Sequence, residues 1–143
     1  MPIFAALPLL ALPVAAYNLI ALLLMPNGLH STLGQDRMAQ PLFTLPTASG
    51  GIWTVGLGDL LVFAALLILF IELLKSTTSR NVAIVNHLLS MLVFLVCLVE
   101  FLLLPAFATS AFFLITAMVL LDVLAGFIVT IVASRRDIDM GGN

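Results

Sequence analysis

The feature that most constrains this fold is the stretch of residues 86–133, where two long apolar runs meet at Pro105. About 20 apolar residues are enough for a helix to cross the hydrocarbon core of a bilayer, and each run is at least that long. Each run also contains one carboxylic acid, Glu100 in the first and Asp122 in the second. The stretch therefore predicts two membrane-spanning helices that carry acidic side chains.

The composition of the whole chain supports a membrane location. Of its 143 residues, 63% are hydrophobic and 8% are charged, and the mean hydropathy is +1.28. A soluble domain is about half apolar and about a quarter charged. Because so few side chains are charged, they cannot cover a water-facing surface. Most of the outer face must therefore contact lipid or protein. The net charge of −2 and the lack of a basic run argue against nucleic-acid binding.

The apolar runs predict an all-α membrane protein with four transmembrane helices in one domain, residues 1–143. The first run lacks the positive charge and cleavage pattern of a signal peptide, so we interpret it as a retained helix. Pro8 and Pro13 are expected to kink that helix. Asp59 is expected to cap the second span, and Lys75 to reach the headgroups at its other end. The predicted spans are residues 2–25, 59–75, 82–104 and 110–133.

The one extended polar segment, residues 26–58, connects the first two spans. Residues 29–40 favour a short surface helix that carries His30, Asp36 and Arg37. Residues 42–55 favour a short β-hairpin, because Thr and aromatic residues favour strands and Gly-Gly favours a tight turn. Pro46 would then lie in an edge strand. Trp53 is expected to anchor this loop at the headgroup level, where aromatic rings are enriched.

The basic residues predict the orientation in the membrane. With four spans, both termini, the turn at residues 75–81 and the tail at residues 134–143 share one side. The loop at residues 26–58 carries Arg37, and the other side carries Lys75, Arg80, Arg135 and Arg136. Cytoplasmic loops are enriched in Lys and Arg. We therefore expect cytoplasmic termini, an extracytoplasmic loop and a bacterial inner membrane as the location.

Asp122 is the most informative polar residue in the predicted spans. An ionisable side chain costs about 2.5–3.5 kcal/mol to insert, so it faces protein or water and is a functional candidate. Ala125, Gly126 and Thr130 follow it at helical spacing, and such small residues let another helix approach closely. We predict that Asp122 lies on the packed face of its helix. There it either forms an interhelical hydrogen bond or serves as a proton or cation site. In depth within the membrane, Tyr17 or Asn18 is expected to lie closer to Asp122 than Glu100 does.

Three further ionisable residues lie within the predicted spans. Glu72 is expected to pair with Lys75 or Arg80, with a contact to His87 as the alternative. Glu100 is expected to reach the outer headgroups or to bond Thr109, Ser110 or Thr116. Heptad spacing places Asn86, Val93 and Glu100 on one face of the third span, and His87, Ser90 and Cys97 on another.

No catalytic, cofactor-binding or metal-binding pattern is evident in the sequence. His30 and His87 lie in different segments, and Cys97 lies roughly 15 Å along the helix axis from His87. The sequence predicts a non-enzymatic accessory or structural subunit that contacts lipid and either another membrane protein or a second copy of itself. The alternative is a proton- or cation-coupled transporter that uses Asp122, assisted by Glu100 or His87. The absence of charge near Pro8 and Pro13 weakens this alternative.

Overall fold

The computed structural model describes residues 7–75 and 80–140, so residues 2–6 of the first predicted span, 76–79 of the predicted turn and 141–143 of the predicted tail lie outside the described residues. The described chain is mostly helical. Its elements are α1 (Ala11–Leu24), α2 (Gly34–Met38), β1 (Pro41–Pro46), β2 (Ile52–Gly56), α3 (Leu57–Lys75), α4 (Arg80–Leu103) and α5 (Ser110–Met140). Two 3₁₀ turns, Gly28–His30 and Pro105–Phe107, complete the connections.

Three of the described helices are long and apolar enough to cross a membrane. The qualifying segments are Leu57–Lys75, Val85–Leu103 and Ser110–Ile128, and α1 is a shorter apolar helix. The prediction of helices in these apolar runs is confirmed. We call the end of the bundle at which β2 enters α3 the hairpin end, and the opposite end the Lys75 end.

The last helix, α5, continues to Met140, well beyond the end predicted at residue 133. The predicted tail therefore continues the helix as far as Met140. The prediction placed the end of the helix where the apolar run ends. A helix, however, ends at a breaking residue and not at a change of polarity. After Gly126 the sequence has no Gly or Pro before residue 141, so nothing local stops the helix.

The prolines near the N-terminus mark the start of α1 and do not kink it. Pro8 precedes the helix and Pro13 lies in its first turn. The first N–H groups of a helix have no partner inside it, so a proline there removes no hydrogen bond. The backbone N–H groups of Ala11 and Leu12 donate to Pro8 and Leu9 in tight turns. The predicted kinks are thus absent from the described part of this helix.

The predicted β-hairpin is confirmed. Strands β1 and β2 pair antiparallel, with Leu45 opposite Trp53 and Pro46 opposite Ile52. Both strands of a two-stranded sheet are edge strands. Proline is tolerated in an edge strand although it has no backbone N–H to donate, so Pro46 is compatible with this sheet. The turn closes between Thr47 and Gly51, and Gly50 has a φ of 82°, which favours glycine.

The segments on either side of the hairpin differ from the predictions in detail. The helix predicted at residues 29–40 is divided into the 3₁₀ turn Gly28–His30 and α2. Helix α3 begins at Leu57, so Asp59 is its third residue and not its cap. The Asp59 carboxylate instead accepts the backbone N–H of Gly56 at 2.9 Å. This backward bond is half of a capping box and satisfies a donor at the helix start.

An aromatic cluster holds the middle of α1 against the hairpin end of the bundle. The Tyr17 ring packs on Phe107 and Phe112, with ring centroids 5.3 and 4.8 Å apart. Its hydroxyl donates to the Ala106 carbonyl at 3.0 Å and lies 2.7 Å from the Thr109 hydroxyl. Thr109 also caps α5, because its side-chain oxygen accepts the Phe112 backbone N–H. Tyr17 therefore joins α1 to the connection between α4 and α5.

We expect Tyr17→Phe to lower the free energy of unfolding by about 1–3 kcal/mol, because the buried Ala106 carbonyl and Thr109 hydroxyl lose a partner. The measurement is thermal or denaturant unfolding in detergent, followed by circular dichroism. Leu19→Ala is the control, because Leu19 is on the same helix and exposed. Equal stability of Tyr17→Phe and the wild type would show that these hydrogen bonds contribute nothing.

A polar cluster between the long helices

Near the Lys75 end, three helices direct polar side chains toward one another. We call this set the polar cluster. Helix α3 contributes two of its residues, α4 three and α5 one, and together they are Glu72, Lys75, Asn86, His87, Ser90 and Asp122. Polar groups buried among apolar helices must satisfy one another, because lipid and apolar side chains offer no hydrogen bonds.

Glu72 is the centre of the cluster and is fully buried, at 0% exposed. Its Oε1 lies 3.0 Å from Lys75 Nζ and accepts a hydrogen bond from the Asn86 amide at 2.6 Å. Its Oε2 accepts the backbone N–H of Leu9 at 2.8 Å. Both carboxylate oxygens are therefore bonded, and the predicted pairing with Lys75 is confirmed. The alternative hydrogen bond to His87 is not formed, because both His87 ring nitrogens have no hydrogen-bond partner.

Lys75 folds back into the cluster, although it was expected to extend toward the headgroups. Besides Glu72, its ammonium group donates to the Leu7 carbonyl at 2.6 Å and to the Asn86 side-chain oxygen at 3.3 Å. Leu7 and Leu9 belong to the segment just before α1. Free backbone groups at a helix start favour an anionic partner, which Glu72 supplies. The ion pair therefore fixes the beginning of α1 to α3 and α4.

Asp122 lies on the packed face of α5, as predicted, and is 3% exposed. The Ser90 hydroxyl donates to its Oδ2 at 2.6 Å. Ser90 and Asn86 are one turn apart and both buried, so they share the inward face of α4. The heptad argument, which placed them on different faces, is wrong, because residues four apart are neighbours on a helix.

The His87 ring packs against α5. It meets the Phe127 ring edge-on, with centroids 4.5 Å apart, and a methyl group at Gly126 would overlap its Nδ1. Gly126 thus allows the close approach that the small-residue spacing predicted. Ala125 is half-buried, and the side chain of Thr130 lies outside the described residues. Both His87 ring nitrogens are buried without a hydrogen-bond partner.

Glu100 lies nearer the hairpin end, where the Asn18 amide donates to its Oε2 at 3.2 Å. Two of the three partners expected for Glu100 are engaged elsewhere: Thr109 bonds Tyr17, and Thr116 donates to a carbonyl of its own helix. Tyr17 or Asn18 was expected to lie closer in depth to Asp122 than Glu100 does. Measured from the helix ends at the hairpin end, Asn18 lies between Glu100 and Asp122 in level, and its side chain bonds Glu100.

No protein-family model, curated protein or solved structure matches this chain.

The described residues contain no group of three or more His, Cys, Asp or Glu that could hold a metal ion. Cys97 is a free, buried thiol. Trp53 is 57% exposed on the hairpin, away from the polar cluster. Chemically, the cluster can connect helices by hydrogen bonds and an ion pair, and its acids and imidazole can exchange protons.

Asn86 and Ser90 are the partners that the sequence interpretation missed. Each hydrogen-bonds an acid on a different neighbouring helix, Glu72 on α3 and Asp122 on α5. The signal was their spacing of one helical turn, which places two polar side chains on one face of an otherwise apolar helix.

Proposed function

We propose that this protein is a small, non-enzymatic, four-span membrane protein that acts as an accessory or structural subunit. It packs in the membrane against another membrane protein or a second copy of itself. The observation that carries the proposal is that the acids of the long helices form hydrogen bonds between helices. Glu72, Glu100 and Asp122 are each bonded to another helix of the same chain. Acids committed in this way stabilise an arrangement of helices, which is what a structural subunit requires.

The outward faces of the long helices support contact with lipid and with a partner. Large apolar side chains are exposed along all three; they include Phe63, Phe70, Leu92, Val99, Leu121 and Ile128. An exposed apolar surface of this extent needs a covering in water. A bilayer covers most of it, and a partner helix can cover the remainder.

The proposed topology has four spans with both termini in the cytoplasm. Support for a fourth span at α1 comes from contacts toward both ends of the bundle, between Leu9, just before α1, and Glu72, and between Tyr17 of α1 and Ala106. The excess of Lys and Arg on the side of the termini supports the orientation, with the hairpin outside a bacterial inner membrane.

The test of this proposal is gentle purification from the native membrane, followed by identification of the components and their stoichiometry. We expect a defined complex with another membrane protein, or an oligomer of this chain. Recovery of a lone monomer over a range of mild detergents would contradict the proposal. A chemical cross-link formed before solubilisation guards against loss of a weak partner.

Asp122→Asn is expected to preserve both the complex and the fold. An amide keeps the shape of the carboxyl group and its hydrogen bond to Ser90, so we expect a change in unfolding free energy below about 1 kcal/mol. Asp122→Ala leaves the Ser90 hydroxyl unpaired and is expected to lose about 1–3 kcal/mol. The measurement is denaturant unfolding of both variants in the same detergent. Equal losses in the two variants would show that the charge itself matters.

His87 favours a second candidate function, a proton-coupled transporter. Its unpartnered ring nitrogens share the polar cluster with Glu72 and Asp122, and such an arrangement can relay protons. The experiment is a flux assay in proteoliposomes with an imposed pH gradient. A gradient-driven flux that Asp122→Asn abolishes would establish transport and would replace the structural proposal.

A further inference from the structure

The hairpin exposes an apolar surface that the polar cluster and the helix packing leave unexplained. Residues 38–58 contain no charged side chain. Five large side chains on it are exposed: Leu42 at 52%, Phe43 at 45%, Leu45 at 44%, Ile52 at 75% and Trp53 at 57%. A hairpin that extends into water usually carries charged residues that protect its free edges. This hairpin therefore requires another environment.

The register of the strands sorts the side chains onto two faces. Phe43 lies opposite Val55 and Leu45 lies opposite Trp53. Directly opposite residues point to the same side, and residues two apart along a strand do so as well. Val55 is buried at the base of the hairpin, so Phe43, Leu45 and Trp53 form the exposed part of this side, which we call the apolar face. On the other side lie the Thr44–Thr54 pair and, beside the turn, Pro46 with Ile52. Ile52 is exposed on that second side, so the two sides differ in the hydroxyl groups of Thr44 and Thr54, which can face water while the apolar face meets lipid.

The position of the hairpin in the chain places it beside the bilayer. Strand β2 ends at Gly56 and α3 begins at Leu57, with no linker between them. The strand is about 17 Å long at roughly 3.3 Å per residue. Its base adjoins the exposed apolar surface of α3, which begins with Leu60 and Phe63. Because no linker separates β2 from α3, the hairpin stays close to the lipid surface. The effective concentration of lipid near the hairpin is therefore high.

We propose that the apolar face of the hairpin lies on the outer leaflet, with Phe43, Leu45 and Trp53 in the boundary between headgroups and acyl chains. This inference rests on the proposed membrane-spanning topology. Trp is enriched at this level of a bilayer because its ring is apolar and its N–H needs a polar partner. Since the hairpin is uncharged, the contact requires no anionic lipid and does not weaken with salt.

Trp53 makes the contact directly measurable, because it is the chain's single tryptophan. We would reconstitute the full chain into phosphatidylcholine vesicles whose acyl chains are brominated at shallow or deep positions. The expected result is blue-shifted emission that loses more than half its intensity with shallow bromines and less with deep ones. Iodide in the buffer should quench it weakly at any ionic strength. Red-shifted emission that iodide quenches and bromines do not would overturn the inference.

A matched pair of variants separates the two faces of the hairpin. Leu45→Lys places an ammonium group on the apolar face, so bromine quenching of Trp53 should fall by more than half. Thr44→Lys is the neighbouring residue on the other face and should keep the wild-type quenching. Equal effects of the two variants would contradict the assigned orientation.

Two further outcomes are distinguished in the same samples. Vesicle flotation reports insertion, so chain that floats without bromine quenching refutes the hairpin contact while leaving the membrane topology intact. Chain that fails to float refutes the membrane topology itself. Blue-shifted emission that bromines do not quench, and that turns red on dilution into excess lipid, would show a second copy of the chain on the apolar face and would also overturn the proposal.

Discussion

Glu72→Leu is expected to lower the free energy of unfolding by about 3–5 kcal/mol, the range observed when one member of a buried ion pair is removed. The substitution leaves Lys75, the Asn86 amide and the Leu9 backbone N–H without their shared acceptor. Because two of these groups lie on α3 and α4 and the third precedes α1, all three helices should loosen at the Lys75 end. The measurement is unfolding in mixed micelles, followed by helical circular dichroism.

Two further variants identify which part of the loss comes from charge. Glu72→Gln keeps an oxygen acceptor and should lose less than Glu72→Leu. Combining Glu72→Leu with Lys75→Met removes the ammonium group that would otherwise stay uncompensated, so the double variant should recover part of the stability. Ile71→Leu, at an exposed position on the same helix, should have no effect. If Glu72→Leu were as stable as the wild type, the ion pair would not hold α1 in place.

Gly126→Val is expected to lower the free energy of unfolding by about 1–3 kcal/mol, as overpacking of a close contact usually does. The added methyl groups would overlap the His87 ring, so α4 and α5 must move apart or the ring must leave its position. Either change weakens the edge-on contact between His87 and Phe127. Denaturant unfolding in detergent measures the loss, and Leu124→Val on the exposed side of α5 is the control.

A second substitution tests the cause of that loss. His87→Ala removes the ring that the new methyl groups would overlap, so Gly126→Val should be less destabilising in that background than in the wild type. Additive effects of the two changes would show that the cost arises from valine in the helix and not from the His87 contact.

The helices and the hairpin were predictable because their signals are local. Length and apolarity define a helix that can cross a bilayer, and the Thr-rich and aromatic runs around Gly50 and Gly51 define the hairpin. The ends of the helices were less predictable. The prediction for α5 stopped at the polarity change near residue 133, whereas the helix continues to Met140 in the absence of a breaking residue.

The residues of the site were predictable, but of their partners only Lys75, which lies one turn from Glu72 on the same helix, was predicted. Insertion energetics identified Glu72, Glu100 and Asp122 as functional candidates, and Gly126 as a packing residue followed from its spacing. The partners Asn86, Ser90 and, for Glu100, Asn18 depend on how each helix is rotated and shifted against its neighbours. Those quantities are set by packing across the bundle, which a single sequence does not encode locally.

The central claim is that the acids of the long helices bond other helices within one chain, and paired-cysteine cross-linking tests it most directly. We would introduce Ser90→Cys together with Asp122→Cys into a Cys97→Ser background, and treat native membranes with a short thiol cross-linker. The account predicts a cross-link within a single chain, and none when Leu121→Cys, on the exposed face, replaces Asp122→Cys. Cross-linking between two chains, or equal yields at residues 121 and 122, would contradict it.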